Sequence, residues 1–238
     1  MGPREKAVYV MRALRRRYLG ESTFLENPGT TLATVAAETE DPFRVLISTI
    51  LSHRTRDERT AEASRRLFAR YRTPRRLAAA PVPEIRRLIR GVNFHVGKAQ
   101  RLKEVARYLL RYHRGEVPRE YEDLLEIPMV GPKTANCVLV YGFGVAAIPV
   151  DTHCHRVPNR LGFVRTKRPE ETEAALKRLL PREYWLDVNE LVIRFGKEVC
   201  RPRGPRCSEC DFTAICMFYR RQAGRPPRAL PVRRRLKA

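Results

Sequence analysis

The sequence predicts an all-α fold. Three observations carry that reading: apolar residues recur at helical spacing, short proline- and glycine-containing joints interrupt them, and no stretch alternates strictly enough to build a sheet. At 238 residues the chain can hold one large domain or two modest ones with a real core.

The elements follow in order. "DPFRVLISTILSHRT" (41–55) has an Asp–Pro start, and Phe43, Val45, Leu46, Ile50 and Leu51 suit a buried helix. Helical patterns recur near 57–71, 83–90, 98–112, 119–127, 132–142, 169–179 and 184–198. Joints such as "TPRRL", "APVPE" and "HRGEVP" separate them. Residues 221–238, basic and proline-containing, read as a mobile tail, equally suited to phosphate binding or to plain solvation.

Charge narrows the partner. With 48 Lys+Arg against 26 Asp+Glu, the formal charge is +22 and the pI about 10.6. Such a field favours a polyanion and salt-sensitive binding, and nucleic acid is the expected ligand. An inert basic surface or heat-adapted ion-pair networks would also produce it. The N-terminus has no apolar run of signal-peptide length, and "VLVYGFGVAAIPV" (138–150) is too short and glycine-broken to span a membrane. The expected setting is intracellular, cytoplasm or nucleoid, where thiols stay reduced.

Within "LLEIPMVGPKTANCVLVYG" (124–142), a helix ends at Ile127, a turn follows, and a new helix starts at Pro132. Gly131 suits the N-cap and Pro132 the first helical position, where its missing N–H costs nothing. The unpaired amides there can bind phosphate, although an ordinary helix–turn–helix joint would look the same. Lys133 sits in the first turn, where the helix dipole and partial burial both disfavour its ammonium form; a free amine could attack a sugar carbon. Asp151, in "AIPVDTHCHRVPNRLGF" (147–163), is a good N-cap, or else a carboxylate that assists a nearby amine.

Near the end, "CRPRGPRCSECDFTAIC" (200–216) spaces Cys200, Cys207, Cys210 and Cys216 as Cys-x6-Cys-x2-Cys-x5-Cys. Reduced thiols argue against disulfides, and zinc or an iron–sulfur cluster remain. Arg201, Arg203 and Arg206 lie between the first two cysteines, so a metal-folded loop would fix three cations as a backbone clamp. Cys137 and Cys154 fall outside that spacing and read as packed thiols.

Taken together, "LSHRTRDERT" (51–60), "IPMVGPKTA" (127–135), "VDTHCHRV" (150–157) and the cysteine spacing resemble the endonuclease III-type DNA glycosylase/AP lyases of the helix-hairpin-helix superfamily, over roughly residues 35–216. The resemblance implies two helical domains flanking a DNA-binding groove. One is a six-helix barrel (35–145) with the helix-hairpin-helix at about 119–142. The other is a discontinuous iron–sulfur cluster domain (1–34 and 146–220), and the basic tail (221–238) lies beyond both. Lys133 and Asp151 match the catalytic lysine and aspartate, and Cys200, Cys207, Cys210 and Cys216 the ligands of a [4Fe-4S] cluster. Val130, Gly131, Thr134, Arg201, Arg203, Arg206, Arg54 and Phe94 are the expected DNA contacts.

The implied activity is base-excision repair by a monomer acting on double-stranded DNA with damaged pyrimidines or abasic sites. The nucleotide is rotated out of the stack, Lys133 forms a Schiff base at C1′, and β-elimination cuts the strand. A thymine-mismatch glycosylase would carry tyrosine at the lysine position, and an adenine glycosylase would lack the lysine. A non-catalytic zinc-knuckle module would need neither Lys133 nor Asp151.

Three features depart from the family pattern. Met129 stands where the hairpin usually has glycine, which puts the turn geometry in question. Arg54 stands where bacterial relatives often carry glutamine. Asn93-Phe94-His95 replaces a glycine-led wedge loop, with Phe94 as either probe or core residue. His153 and His155 read as structural or phosphate-facing.

Overall fold

The computed structural model describes residues 1–223, and every element in it is helical. Thirteen α-helices run in order: α1 Pro3–Tyr18, α2 Thr31–Thr39, α3 Pro42–Ser52, α4 Asp57–Arg70, α5 Pro74–Ala79, α6 Val82–Leu88, α7 His95–Tyr112, α8 Tyr121–Glu126, α9 Pro132–Cys137, α10 Thr152–Leu161, α11 Pro169–Leu179, α12 Val188–Glu198 and α13 Met217–Ala223. A π-helical turn, Val138–Gly142, prolongs α9, and short 3-10 turns precede α12 and shape the cysteine loop. Among the described residues no helix is long and apolar enough to cross a membrane.

Most elements fall where their periodicity puts them, with shifted ends. α7 starts three residues ahead of the expected 98, and the expected 184–198 helix resolves into the 3-10 turn Arg182–Tyr184 and α12. The joint "TPRRL" is itself α5, because Thr73 caps it through its side chain and Pro74 occupies the first turn. The expected tail boundary also moves: α13 runs to Ala223, and the remainder of 221–238 lies outside the described residues.

α3 is the central helix. All eight residues from Phe43 to Leu51 other than Arg44 are buried, and α2, α4, α7, α9 and the π-helical turn pack around it. Asp41 caps its start by accepting from the Phe43 and Arg44 amides. α1 packs instead on α11 and α12, burying Ala7, Val10, Met11 and Leu14, an i, i+3, i+4, i+7 stripe.

Arg17 and Tyr18 of α1 hold Glu198 of α12, so the N-terminal helix lies with the C-terminal half. α2 packs with α3 and α4, and it crosses the domain break expected at 34/35. Fully buried Glu190 on α12 fastens the turn before α2, accepting from the Gly29 amide and the Thr30 hydroxyl, each at 2.6 Å.

Candidate active site

Lys133 and Asp151 line one cleft of about 790 Å³. Its walls are the Ser52–Asp57 loop, the start of α9, the Val150–His153 entry to α10, and Asn189, Ile193 and Lys197 of α12. Asp57 of α4 and Lys197 of α12, both lining it, form an ion pair.

Each catalytic candidate is positioned by local chemistry. Pro132 and Gly131 start α9 as expected, Gly131 in extended conformation at φ −112°. The first intrahelical bond runs from the Ala135 amide to the Gly131 carbonyl at 2.9 Å. The amides of Gly131, Lys133 and Thr134 ahead of it are left for an external acceptor. A β-carbon on Gly131 would meet nothing within 4 Å, so that approach is open. Val130 is different: its amide closes the turn on Ile127 at 3.0 Å and its side chain is buried. Thr134, also buried, offers only its amide.

Met129 takes φ +69°, the left-handed conformation that glycine adopts freely. The hairpin turn is thus kept without its glycine, and the half-buried methionine packs on the core.

Asp151 caps α10 through one oxygen. Oδ1 accepts from the His153 and Cys154 amides at 2.9 and 2.8 Å, which caps α10. Oδ2 has neither of these backbone donors. The N-cap and the expected catalytic carboxylate are the same group.

The expectation of a pre-lowered Lys133 is also corrected. Burial pushes its ammonium down, but the neighbouring Cys137 and Asp151 push it up, and the balance lies above the ordinary lysine value. Cys137 and Cys154 are fully buried, and burial raises both thiols.

Arg54 and Phe94 come together on two loops tied to each other. The Asn93 amide donates to Thr55 Oγ1 at 3.2 Å, and the Asn93 side chain donates to the Arg54 carbonyl. Both Arg54 (φ +56°) and Phe94 (φ +58°) are left-handed. Phe94 is 65% exposed, so the core alternative for it falls. Lys98 on α7 anchors the same loop, donating at 2.8 Å to the carbonyls of Leu51 and His53. Burial lowers its pKa to about 8. Sequence reasoning passed over Lys98, yet it falls in register with Leu102, Val105 and Leu109 on the apolar face of α7, which marks a buried amine.

His53, also passed over, joins this loop to α9 through Thr134. His155 bonds Thr172 at 2.7 Å. His153 contacts Arg156, and a β-carbon on Gly196 would lie 2.4 Å from its Nδ1, so α12 passes close against α10.

Cys200, Cys207, Cys210 and Cys216 line one small void with apolar Leu161, Phe195, Val199 and Phe218. Arg160 points an N–H at Cys200 Sγ (3.7 Å), and the Tyr219 amide donates to Cys216 Sγ (3.4 Å). Burial and the neighbouring thiols raise Cys207, and raise Cys210 to about 11. Arg156 and Arg160 of α10 donate to the carbonyls of Cys200, Arg201 and Pro202, tying this loop to the helix that Asp151 caps. Arg206 pairs with Glu209 at 3.4 Å, so Arg201 and exposed Arg203 are the loop cations clear of a carboxylate.

Comparisons with known proteins agree with one another. Residues 47–182 match the model of the HhH-GPD superfamily base excision DNA repair proteins. The chain is 50% identical over 182 residues to endonuclease III of Thermotoga maritima, covering 76% of this chain and 85% of that one. It is 35% identical over 177 residues to endonuclease III of Bacillus subtilis, covering 74% and 81%. Its structure superposes on a trapped endonuclease III–DNA covalent intermediate with a TM-score of 0.82 at 31% identity, covering 92% and 98%. A thermostable thymine-DNA glycosylase gives 0.77 at 26% identity, covering 91% and 98%.

Proposed function

The chain belongs to the HhH-GPD superfamily of base excision DNA repair proteins, and from that premise we propose that it is a bifunctional DNA glycosylase and AP lyase acting on damaged pyrimidines in duplex DNA. The observation that carries this reading is Lys133 and Asp151 in one cleft beside the open amides of α9.

The duplex backbone approaches Gly131 and the first turn of α9, while Arg201 and Arg203 clamp a second stretch. Phe94 and Arg54, on their interlocked loops, enter the space that the extruded nucleotide leaves. Lys133 Nζ, once deprotonated, attacks C1′ as the bond from C1′ to the base breaks and the base leaves with a proton. The Schiff base that follows acidifies the 2′ hydrogens, and loss of one expels the 3′ phosphate. The Asp151 carboxylate favours the Lys133 ammonium beforehand and balances cationic charge at the sugar. The barrel is assigned to the region from α2 to the π-helical turn, and the second domain to α1 with α10–α13.

Cys200, Cys207, Cys210 and Cys216 would hold a [4Fe-4S] cluster. The fit is chemical: four thiols around one apolar void, with N–H donors aimed at two of the sulfurs. When bound, the cluster supplies a cationic scaffold for four thiolates and orders the loop that carries Arg201 and Arg203.

Borohydride trapping on abasic duplex tests the reading. Wild-type protein should form a covalent adduct, and Lys133→Gln should bind the duplex without trapping or nicking it. Trapping by Lys133→Gln at the wild-type rate would overturn it.

A further inference from the structure

We propose that a second cleft, between α10, the 162–167 turn and α13, binds backbone phosphates of the duplex beyond the reacting nucleotide. This rests on the DNA-repair reading and extends it to a contact outside the hairpin and the cysteine loop.

The cleft measures about 650 Å³ and is lined by Arg156, Arg160, Arg165, Lys167 and Arg221, with no carboxylate among its lining residues. The clefts beside it are mixed in sign: Asp57, Glu58 and Asp151 line the catalytic one, and Glu170 and Glu173 the one under the hairpin. In a chain this basic, cations gathered in a concavity without a counter-charge repel one another, and an anion relieves that cost.

The five cations are not equivalent. Arg156 and Arg160 spend their donors on backbone carbonyls, and Arg160 also stacks over the Phe218 ring at 4.3 Å, so both are fixed walls of positive charge. Arg165, Lys167 and Arg221 are exposed at the rim. Adjacent Arg168 pairs with Glu171 at 3.2 Å, whereas the three rim cations have no ion-pair partner among the described residues.

Two features identify the occupant as DNA. His155 lines both this cleft and the catalytic one, so the two adjoin, and a duplex with its reacting sugar at Lys133 is within reach of this cleft. Residues 224–238 contain no acidic side chain that could take its place.

The test is equilibrium binding of the full-length protein to a duplex of about 25 base pairs with a central non-cleavable abasic analogue, across a salt series. The triple variant Arg165→Gln, Lys167→Gln, Arg221→Gln should flatten the slope of log Kd against log salt by about 2 to 3, near one unit per lost phosphate contact. Removing one duplex arm should bring the wild-type slope down to that of the variant. Removing the other arm should preserve the difference.

A control variant of equal charge, Arg75→Gln, Arg76→Gln, Arg86→Gln, alters exposed residues on α5 and α6 that line neither cleft and should keep the wild-type slope. An unchanged slope in the first variant, or a loss indifferent to both arms, would overturn the proposal. So would one-site binding of inorganic phosphate that the variant loses while its DNA slope stays at the wild-type value. If the wild-type protein failed to nick abasic duplex, the lyase reading would fall, and the arm dependence would still decide the role of this cleft.

Discussion

His53 Nε2 lies 3.0 Å from the hydroxyl of Thr134, joining the loop after α3 to the first turn of α9, one residue beyond Lys133. Burial, with Lys133 and Lys98 close by, lowers the imidazole to about 4 from an ordinary value of 6.5. An unfolded chain takes up this proton below about 6.5, and the folded one refuses it until about 4, so stability present above 6.5 is lost as pH falls through that window. His153 is shifted in the same direction. His53→Gln keeps a partner for Thr134 and removes the titration. Thermal unfolding should therefore show a shallower loss between pH 6.5 and 4 in the variant, and identical slopes would remove His53 from this role.

Met129 holds the hairpin turn at φ +69° against its own preference. A left-handed residue other than glycine costs about 1–2 kcal/mol, and a β-branched one fits least well. Met129→Gly relieves that strain and gives up the packing of a half-buried side chain, so unfolding should change by no more than about 1 kcal/mol. Met129→Val cannot relieve it and should unfold earlier by more than about 1 kcal/mol, with weaker duplex binding because the amides of α9 move. Equal stability of the two variants would show that the turn is unstrained.

How far the sequence reaches is visible in particular residues. Asp41, Gly131, Pro132 and Asp151 announce helix starts because capping is local chemistry, and the structure has each one at an N-terminus. α1 carries an i, i+3, i+4, i+7 stripe, but Arg12 inside it and Arg15–Arg17 after it hid the helical pattern. The Lys133 pKa was not legible. Dipole and burial oppose the ammonium, but Cys137 in the same helix raises it by more than Asp151 does, and neither the contact with Cys137 nor the carboxylate arriving from another helix is visible in the sequence. The same holds for Asn93 and Arg54, which are 39 positions apart and bond only through tertiary folding.

The cysteine loop yields a compositional prediction. Anaerobically purified protein should contain iron and acid-labile sulfide in equal amounts, with Cys210→Ser losing both. Because Arg156 and Arg160 hold the loop by its carbonyls, the variant should become protease-sensitive within 200–216 while the α3-centred barrel stays folded. Stoichiometric zinc without iron would replace the cluster with a single-ion site.

Phe94 separates catalysis from stability. It is 65% exposed and strained, so Phe94→Ala should change unfolding by less than about 0.5 kcal/mol. If the ring fills the gap left by an extruded nucleotide, base removal from paired lesion duplex should fall by about tenfold or more, the cost of losing a stack of about 1–3 kcal/mol. Trapping on a single-stranded abasic site, where there is no stack to open, should stay near the wild-type rate. Equal losses on both substrates would place Phe94 elsewhere in binding.

Asp151→Asn tests whether this carboxylate governs the Lys133 proton. Asparagine can still accept from the His153 and Cys154 amides, so the cap on α10 and the fold should survive. What disappears is a charge that raises Lys133. Attack needs the neutral amine, and in wild-type protein the ammonium persists through neutral pH, so the trapping rate on a preformed abasic site should climb with pH into the alkaline range. Without the carboxylate one of the influences that raises the amine is gone, so it frees earlier and the climb moves to lower pH. Base removal from intact lesion duplex should move the opposite way and drop sharply, since the departing base and cationic sugar lose their counter-charge. A pH climb in the variant that coincides with wild type would show that Asp151 does not govern the Lys133 proton.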